Sequence, residues 1–163
     1  MMNMNTEERN VLIESYGQAY QLLTVSMAKY PTDMRQWKPA SDKWSIREVL
    51  IHIADSEANS YIRCRRLIAE PTSGVYGYDE SQWAKILDYH KLPIATYLEL
   101  FRLLRLTSYE LLKTVPEQVW HSATVEHSES GTMTIEQWLK TYEEHIPIHI
   151  RQMQRIYEAW LVR

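Results

Sequence analysis

Apolar side chains recur every three to four residues through four long stretches of this chain, a spacing that lays one apolar stripe along an α-helix. The first stretch runs from about Glu7 to Lys29, with Leu12, Tyr16, Ala19, Leu23 and Met27 down one side, and Pro31 stops it. The second opens at Ser45, where Ser45 and Glu48 match a capping box, and lasts to about Ile68; its stripe passes Ile46, Val49, Leu50, Ile53 and Tyr61. The third starts near Pro93, a residue suited to a first helical turn. It carries Ile94, Tyr97, Leu98, Phe101, Leu104, Tyr109 and Leu112 before Pro116. The fourth has another capping box, Thr134 with Gln137, followed by Trp138, Tyr142, Ile146, Met153, Ile156 and Trp160. Helices of about 24 residues are about 36 Å long, the scale for side-by-side packing. The pattern predicts an all-α four-helix bundle, one domain over residues 1–163, with a long connection between the second and third helices.

That connection, from about Ala69 to Leu92, is longer than compact domains usually need, and such loops are often functional. It contains YDESQWAKI, which reads as a short helix beginning near Asp79, so that Tyr78, Asp79 and Trp83 are expected to pack over one end of the bundle as a lid. The segment from Trp120 to Gly131 reads as irregular or a short hairpin.

Composition narrows the functional classes. Lys and Arg are scattered and the formal charge is −3, so the basic face that displaces counterions from nucleic-acid phosphates is missing. Four glycines cannot assemble a Gly-rich phosphate loop. No run approaches the roughly 18 apolar residues of a membrane span, and the N-terminal residues lack the basic-then-apolar order of a signal peptide. With a single cysteine, Cys64, no intramolecular disulfide can form. The expectation is a cytoplasmic protein that binds neither nucleic acid nor membrane.

The six histidines carry the candidate chemistry. His90, His121 and His127 fall in predicted connections and read as solvated loop residues. His145 and His149 stand four apart in the fourth helix, so their imidazoles project from one face toward one point. The sequence EHIPIH lacks the glutamate that a zinc-protease helix carries inside its histidine pair, so protease chemistry has no support. By itself the pair reads more readily as two hydrogen-bonded core histidines. His52 changes that reading, because it lies in the apolar stretch VLIHIADSE of the second helix, where an unpaired imidazole would cost roughly 1–3 kcal/mol. Inward-facing histidines on two helices are how bundles build metal centres. Three imidazoles would leave a coordination position open, as catalytic sites do. Asp55 follows His52 by three residues and Gln152 follows His149 by three, so both are candidates to fix an imidazole from behind. Asp55, Glu57, Glu143 and Glu144 are equally candidate bases or oxygen ligands, and spacing does not choose among them. Cys64, far along the second helix from His52, reads as a helix thiol with no metal role. No catalytic residue is assigned.

The stretches WSIREVLIHIADSEANSYIRCRR, YDESQWAKILDY and GTMTIEQWLKTYEEHIPIHIRQM resemble the DinB-like superfamily. More narrowly they resemble its YfiT-like branch, which includes bacillithiol S-transferases and metal-dependent hydrolases. The resemblance covers about Trp37 to Trp160. It implies a four-helix bundle, often a homodimer, with one divalent ion, Ni or Zn, on His52, His145 and His149. One departure is that Ile148 and Ile150 flank His149, where the family often has a further histidine. For the transferase members it implies a low-molecular-weight thiol, ionised beside the metal, adding to a small electrophile. A hydrolase using water in place of the thiol, and a non-enzymatic binding bundle, are the alternatives.

Overall fold

The computed structural model describes residues 4–163. Its first helical run is not continuous. Helix α1 (Thr6–Gly17) starts from an Asn5 cap that is boxed with Glu8, and α2 (Ala19–Met27) follows after a break at Gln18. The expected helix from Glu7 to Lys29 is therefore two. Gly17 stands at the break with the Tyr109 ring against it; a Cβ there would lie 2.7 Å from that ring. Glycine both weakens the helix and admits the ring.

After a single turn at Asp33–Gln36, α3 (Ile46–Ala69) begins as the capping box predicts, with Ser45 accepting from the Glu48 backbone at 3.2 Å. The long connection holds strand β1 (Gly74–Val75), helix α4 (Glu80–Ile86) and a turn at Tyr89–Lys91. Helix α5 (Ile94–Leu112) leads to a short α6 (Glu117–Ser122). A hairpin, β2 (Thr124–His127) and β3 (Gly131–Thr134), feeds directly into α7 (Ile135–Leu161). Strand β1 pairs with β2 in parallel, Gly74 opposite Glu126, so a three-stranded sheet ties the long connection to the hairpin. The sequence pattern had not predicted β1 or α6.

The helices bury two apolar clusters. One gathers Leu23, Val49, Ile53, Phe101, Ile146 and Met153; the other Tyr16, Cys64, Leu67, Leu112, Trp138 and Leu139. A polar layer separates them. Arg105 on α5 donates to both carboxylate oxygens of Glu57 on α3, at 3.0 and 2.6 Å. It also donates to the carbonyls of Tyr142 on α7 and Tyr16 on α1, while the Tyr16 hydroxyl donates to Glu57. Arg105 and Glu57 are buried, and the guanidinium lies over the Tyr16 ring. One ion pair thus pins all four sides of the bundle beside the histidines. Among the described residues, no helix is long and apolar enough to cross a membrane.

Candidate metal centre

Helix α3 delivers His52 two turns from its capped start, and α7 delivers His145 and His149 one turn apart. Between that pair, Pro147 lacks the N–H that would bond the carbonyl of Glu143, so the ladder of α7 is interrupted in the turn that separates the two histidines. The three imidazoles meet. Ring centroids lie 4.4 Å apart for His145 and His149, 4.8 Å for His52 and His149, and 5.5 Å for His52 and His145. One nitrogen from each lies within 4.8 Å of the other two.

The hydrogen bonds fix which nitrogens are free. His149 Nδ1 donates to Gln152 Oε1 at 2.8 Å, so in the neutral ring Nε2 holds a lone pair. That Nε2 is 3.0 Å from His145 Nε2, which also lies 3.4 Å from Ser56 Oγ. Both ring nitrogens of His52, and Nδ1 of His145, are buried with no hydrogen-bond partner among the described residues. Orphaned nitrogens of this kind are rare in folded proteins because each forfeits its hydration. A cation would accept the lone pair of one nitrogen from each ring, which satisfies one of the two on His52, and nitrogens around one first-row ion sit roughly 3 Å apart. The donor set therefore fits one divalent ion.

Electrostatics favours the ligand form of each ring. Burial, reinforced by His149, pushes His52 down to about 3. Burial also holds His145 well below the usual imidazole range, with His149, His52 and Arg105 adding to it, and lowers His149 against the opposing bond to Gln152. All three are neutral at pH 7, as metal ligation requires.

Around the rings, two expectations need correction. Asp55 does not reach an imidazole; it accepts a short hydrogen bond from the Tyr89 hydroxyl, because its place on α3 turns it toward the Tyr89–Lys91 turn. Asp79 is exposed and caps α4 by accepting from the Gln82 backbone at 2.8 Å, so its carboxylate serves the helix. Gln152 does bond an imidazole of the cluster, that of His149. Tyr78 and Trp83 are half-buried and stack at 4.5 Å, and the buried Tyr78 hydroxyl comes near Ser56 without a hydrogen bond of proper geometry. Trp83 and Trp44 pack against the small apolar cluster of Ile51, Ala84 and Tyr89, which seats α4 against α3 next to the residue preceding His52.

Two residues escaped the reading of the sequence. Glu80, in the first turn of α4, brings Oε2 to 3.9 Å from His52 Nε2, and burial raises its pKa against the pull of Arg63. Trp44 lays its ring 5.0 Å from that of His52. Both belong to stretches that carry the family resemblance, but spacing along one helix could not connect them to His52. The remaining histidines stand outside the cluster. His121 pairs with Glu117 at 3.1 Å, His127 accepts hydrogen bonds from the β2–β3 turn, and His90 lies in the turn after α4. Cys64 is buried, and burial pushes its thiol up to about 12.

Three neutral imidazoles gathered inside a helical bundle form a group that could hold a metal ion. This chain belongs to the DinB superfamily, whose family model matches residues 16–153. It is 32% identical over 114 residues to a protein of Halalkalibacterium halodurans and 35% identical over 111 residues to one of Oceanobacillus iheyensis, both named "putative metal-dependent hydrolase". Those alignments cover 70% and 68% of this chain but 66% and 63% of the relatives, just under two-thirds of their length. The solved structure of YfiT from Bacillus subtilis, described as an unusual four-helix bundle, superposes with a TM-score of 0.87 over 97% of this chain and 90% of that one, at 23% identity.

Proposed function

We propose that this chain is a metal-dependent enzyme in which His52, His145 and His149 hold one divalent ion, nickel or zinc, and a low-molecular-weight thiol is transferred to a small electrophile on the open side of the site. The observation that carries the reading is the convergence of three neutral imidazoles, among them His52, whose two buried ring nitrogens have no partner among the described residues. A divalent ion held there would supply the positive charge that favours the ionised form of a sulfur or oxygen brought beside it.

The chain's own residues do the rest. Gln152 fixes the His149 tautomer and so aims Nε2 inward. Trp44 and Tyr78 limit water on the α4 side. Glu80 is the carboxylate beside the open side and accepts the proton of the incoming nucleophile. In thiol transfer the S–H proton passes to Glu80 and on to solvent, a sulfur–carbon bond forms, and a leaving group such as chloride departs with its bonding pair. The sulfur comes from outside, because Cys64 is buried and protonated.

Glu80 also favours a second reading. A carboxylate at that position suits activation of water, which agrees with the hydrolase names of the relatives. The experiment that separates the two loads the untagged protein with one metal at a time. It then follows chloride release from a chloro-nitroaromatic, and cleavage of an ester, each with and without 2-mercaptoethanol. Thiol transfer requires added thiol and yields one thioether per chloride. Ester cleavage that proceeds without thiol and is inhibited by it establishes hydrolysis instead. Metal content that is the same in wild type and in His52→Ala, His145→Ala and His149→Ala refutes the centre itself.

A further inference from the structure

Tyr78 stands just before α4, and the chain is tied on both sides of it. The Gly77 N–H donates to Ser128 Oγ at 2.9 Å, and the Asp79 carboxylate caps α4. The Tyr78 ring packs against that of Trp83, with centroids 4.5 Å apart. A side chain anchored in this way keeps its hydroxyl in one place, and that place is beside Ser56, whose Oγ lies 3.4 Å from His145 Nε2.

The hydroxyl is buried, yet it has no hydrogen-bond partner among the described residues. Its polar neighbours besides Ser56 are Glu80, Tyr142 and Asp55. Asp55 accepts from the Tyr89 hydroxyl, and the Tyr142 hydroxyl accepts from Arg63 at 2.7 Å. Glu80 directs one oxygen to 3.9 Å from His52 Nε2. A buried hydroxyl left unmet forfeits roughly 1–3 kcal/mol of hydration. Packing does not require it, because a phenylalanine ring would lie against Trp83 equally well. Burial, and next the Glu80 carboxylate, raise the phenol's pKa, so it stays an O–H donor throughout the neutral range. A fixed donor beside the three imidazoles, with no acceptor of its own, is arranged for an oxygen that a substrate brings.

We propose that the Tyr78 hydroxyl gives its proton to the oxygen of the electrophile, and that the class of electrophile this donor selects is a small epoxide. The proposal rests on the reading of the three-histidine centre as the place where sulfur attacks. In that reaction sulfur bonds to a ring carbon, the carbon–oxygen bond breaks, and its electron pair stays on oxygen. An alkoxide is a strong base and leaves poorly, so a proton delivered as the bond breaks lowers the barrier. One proton from solvent then restores the phenol, matching the one that the thiol released. Thiol and epoxide thus give a hydroxy thioether, with atoms and charge in balance. Chloride is a weak base and departs without a proton, so a halide does not draw on Tyr78 in this way.

The test uses the full chain, as wild type and as Tyr78→Phe, and two kinds of measurement. With metal-loaded protein and 2-mercaptoethanol, turnover of styrene oxide is compared with that of benzyl chloride, each built on one phenyl ring. The ratio of epoxide to chloride turnover falls about 10²–10³-fold in the variant, and the fall is in kcat more than in the KM for thiol. The second measurement is made on chelator-treated protein and involves no turnover. It titrates in 4-nitrophenolate, whose charged oxygen stands in for the forming alkoxide and whose absorption moves to shorter wavelength when that oxygen accepts a hydrogen bond. Wild type binds it with this shift, and Tyr78→Phe loses the shift and about tenfold of the affinity. A loss of turnover shared equally by the two electrophiles, or a nitrophenolate shift that survives in Tyr78→Phe, overturns the donor role. Failure of the thiol-transfer reading would look different: neither electrophile consumed by wild type, with the Tyr78-dependent shift intact.

Discussion

Replacing His52 by leucine should make the metal-free protein more stable, and the reason lies in what surrounds the ring. A neutral imidazole carries one donor and one acceptor, and here both are buried and unmet. Each such group costs about 1–3 kcal/mol, and leucine removes both while keeping apolar contact with Trp44. Taking only one group's worth, because leucine does not fill the ring's flat outline, the gain at pH 7.5 is about 2 kcal/mol. Acid enlarges it. The His52 pKa is about 3 in the folded chain, against an ordinary value of 6.5, so below pH 6.5 the unfolded chain takes up a proton that the folded chain refuses. Stability from this source is therefore full above pH 6.5 and falls as the pH drops toward 3; at pH 5 the loss is about 2 kcal/mol. His52→Leu lacks this loss, so its advantage grows to about 4 kcal/mol at pH 5. Urea unfolding of chelator-treated wild type and variant at the two pH values measures both numbers. In a chain of this length, each kcal/mol also moves the melting temperature by about 2–4 °C. Added zinc or nickel should then reverse the order, stabilising wild type and not the variant. A metal-free His52→Leu protein that is less stable than wild type at both pH values would refute the reasoning, because it would mean that the imidazole is held for structure and not for a ligand.

Two further outcomes follow from named contacts. Gln152→Leu removes the acceptor that fixes His149, and should weaken metal binding by roughly 10–100-fold in competition with a chromophoric chelator; unchanged affinity would show that the 2.8 Å bond does not set the ligand. Glu57→Gln leaves Arg105 charged and unpaired in the polar layer, and should cost about 3–5 kcal/mol in urea unfolding, most of it recovered when Arg105→Met is added; a cost below 1 kcal/mol would mean that water reaches the pair.

The amphipathic periods over residues 45–68, 93–115 and 134–160 determine helices that can only be stable by packing their stripes together, and the capping boxes at Ser45 and Thr134 fix where two of them begin. The same period placed His145 and His149 on one face, and the apolar setting of His52 marked it as a buried ring in need of a partner. Those facts are local, and a sequence carries local facts directly. Local spacing could not supply the break at Gln18, which depends on a tyrosine ring from α5 pressed against Gly17, or the strand at Gly74–Val75, two residues long and defined only by its pairing with β2. It could not tell that Asp55 would turn to Tyr89, or that Glu80 from α4 and Trp44 from just before the Ser45 cap would approach His52. Each of these depends on the rotation of one element against another, which is set by how whole side chains interlock in three dimensions. The meeting of His52 with His145 and His149 is of the same kind: residue types and helical faces made it plausible, and the packing of α3 against α7 brought the nitrogens within 4.8 Å.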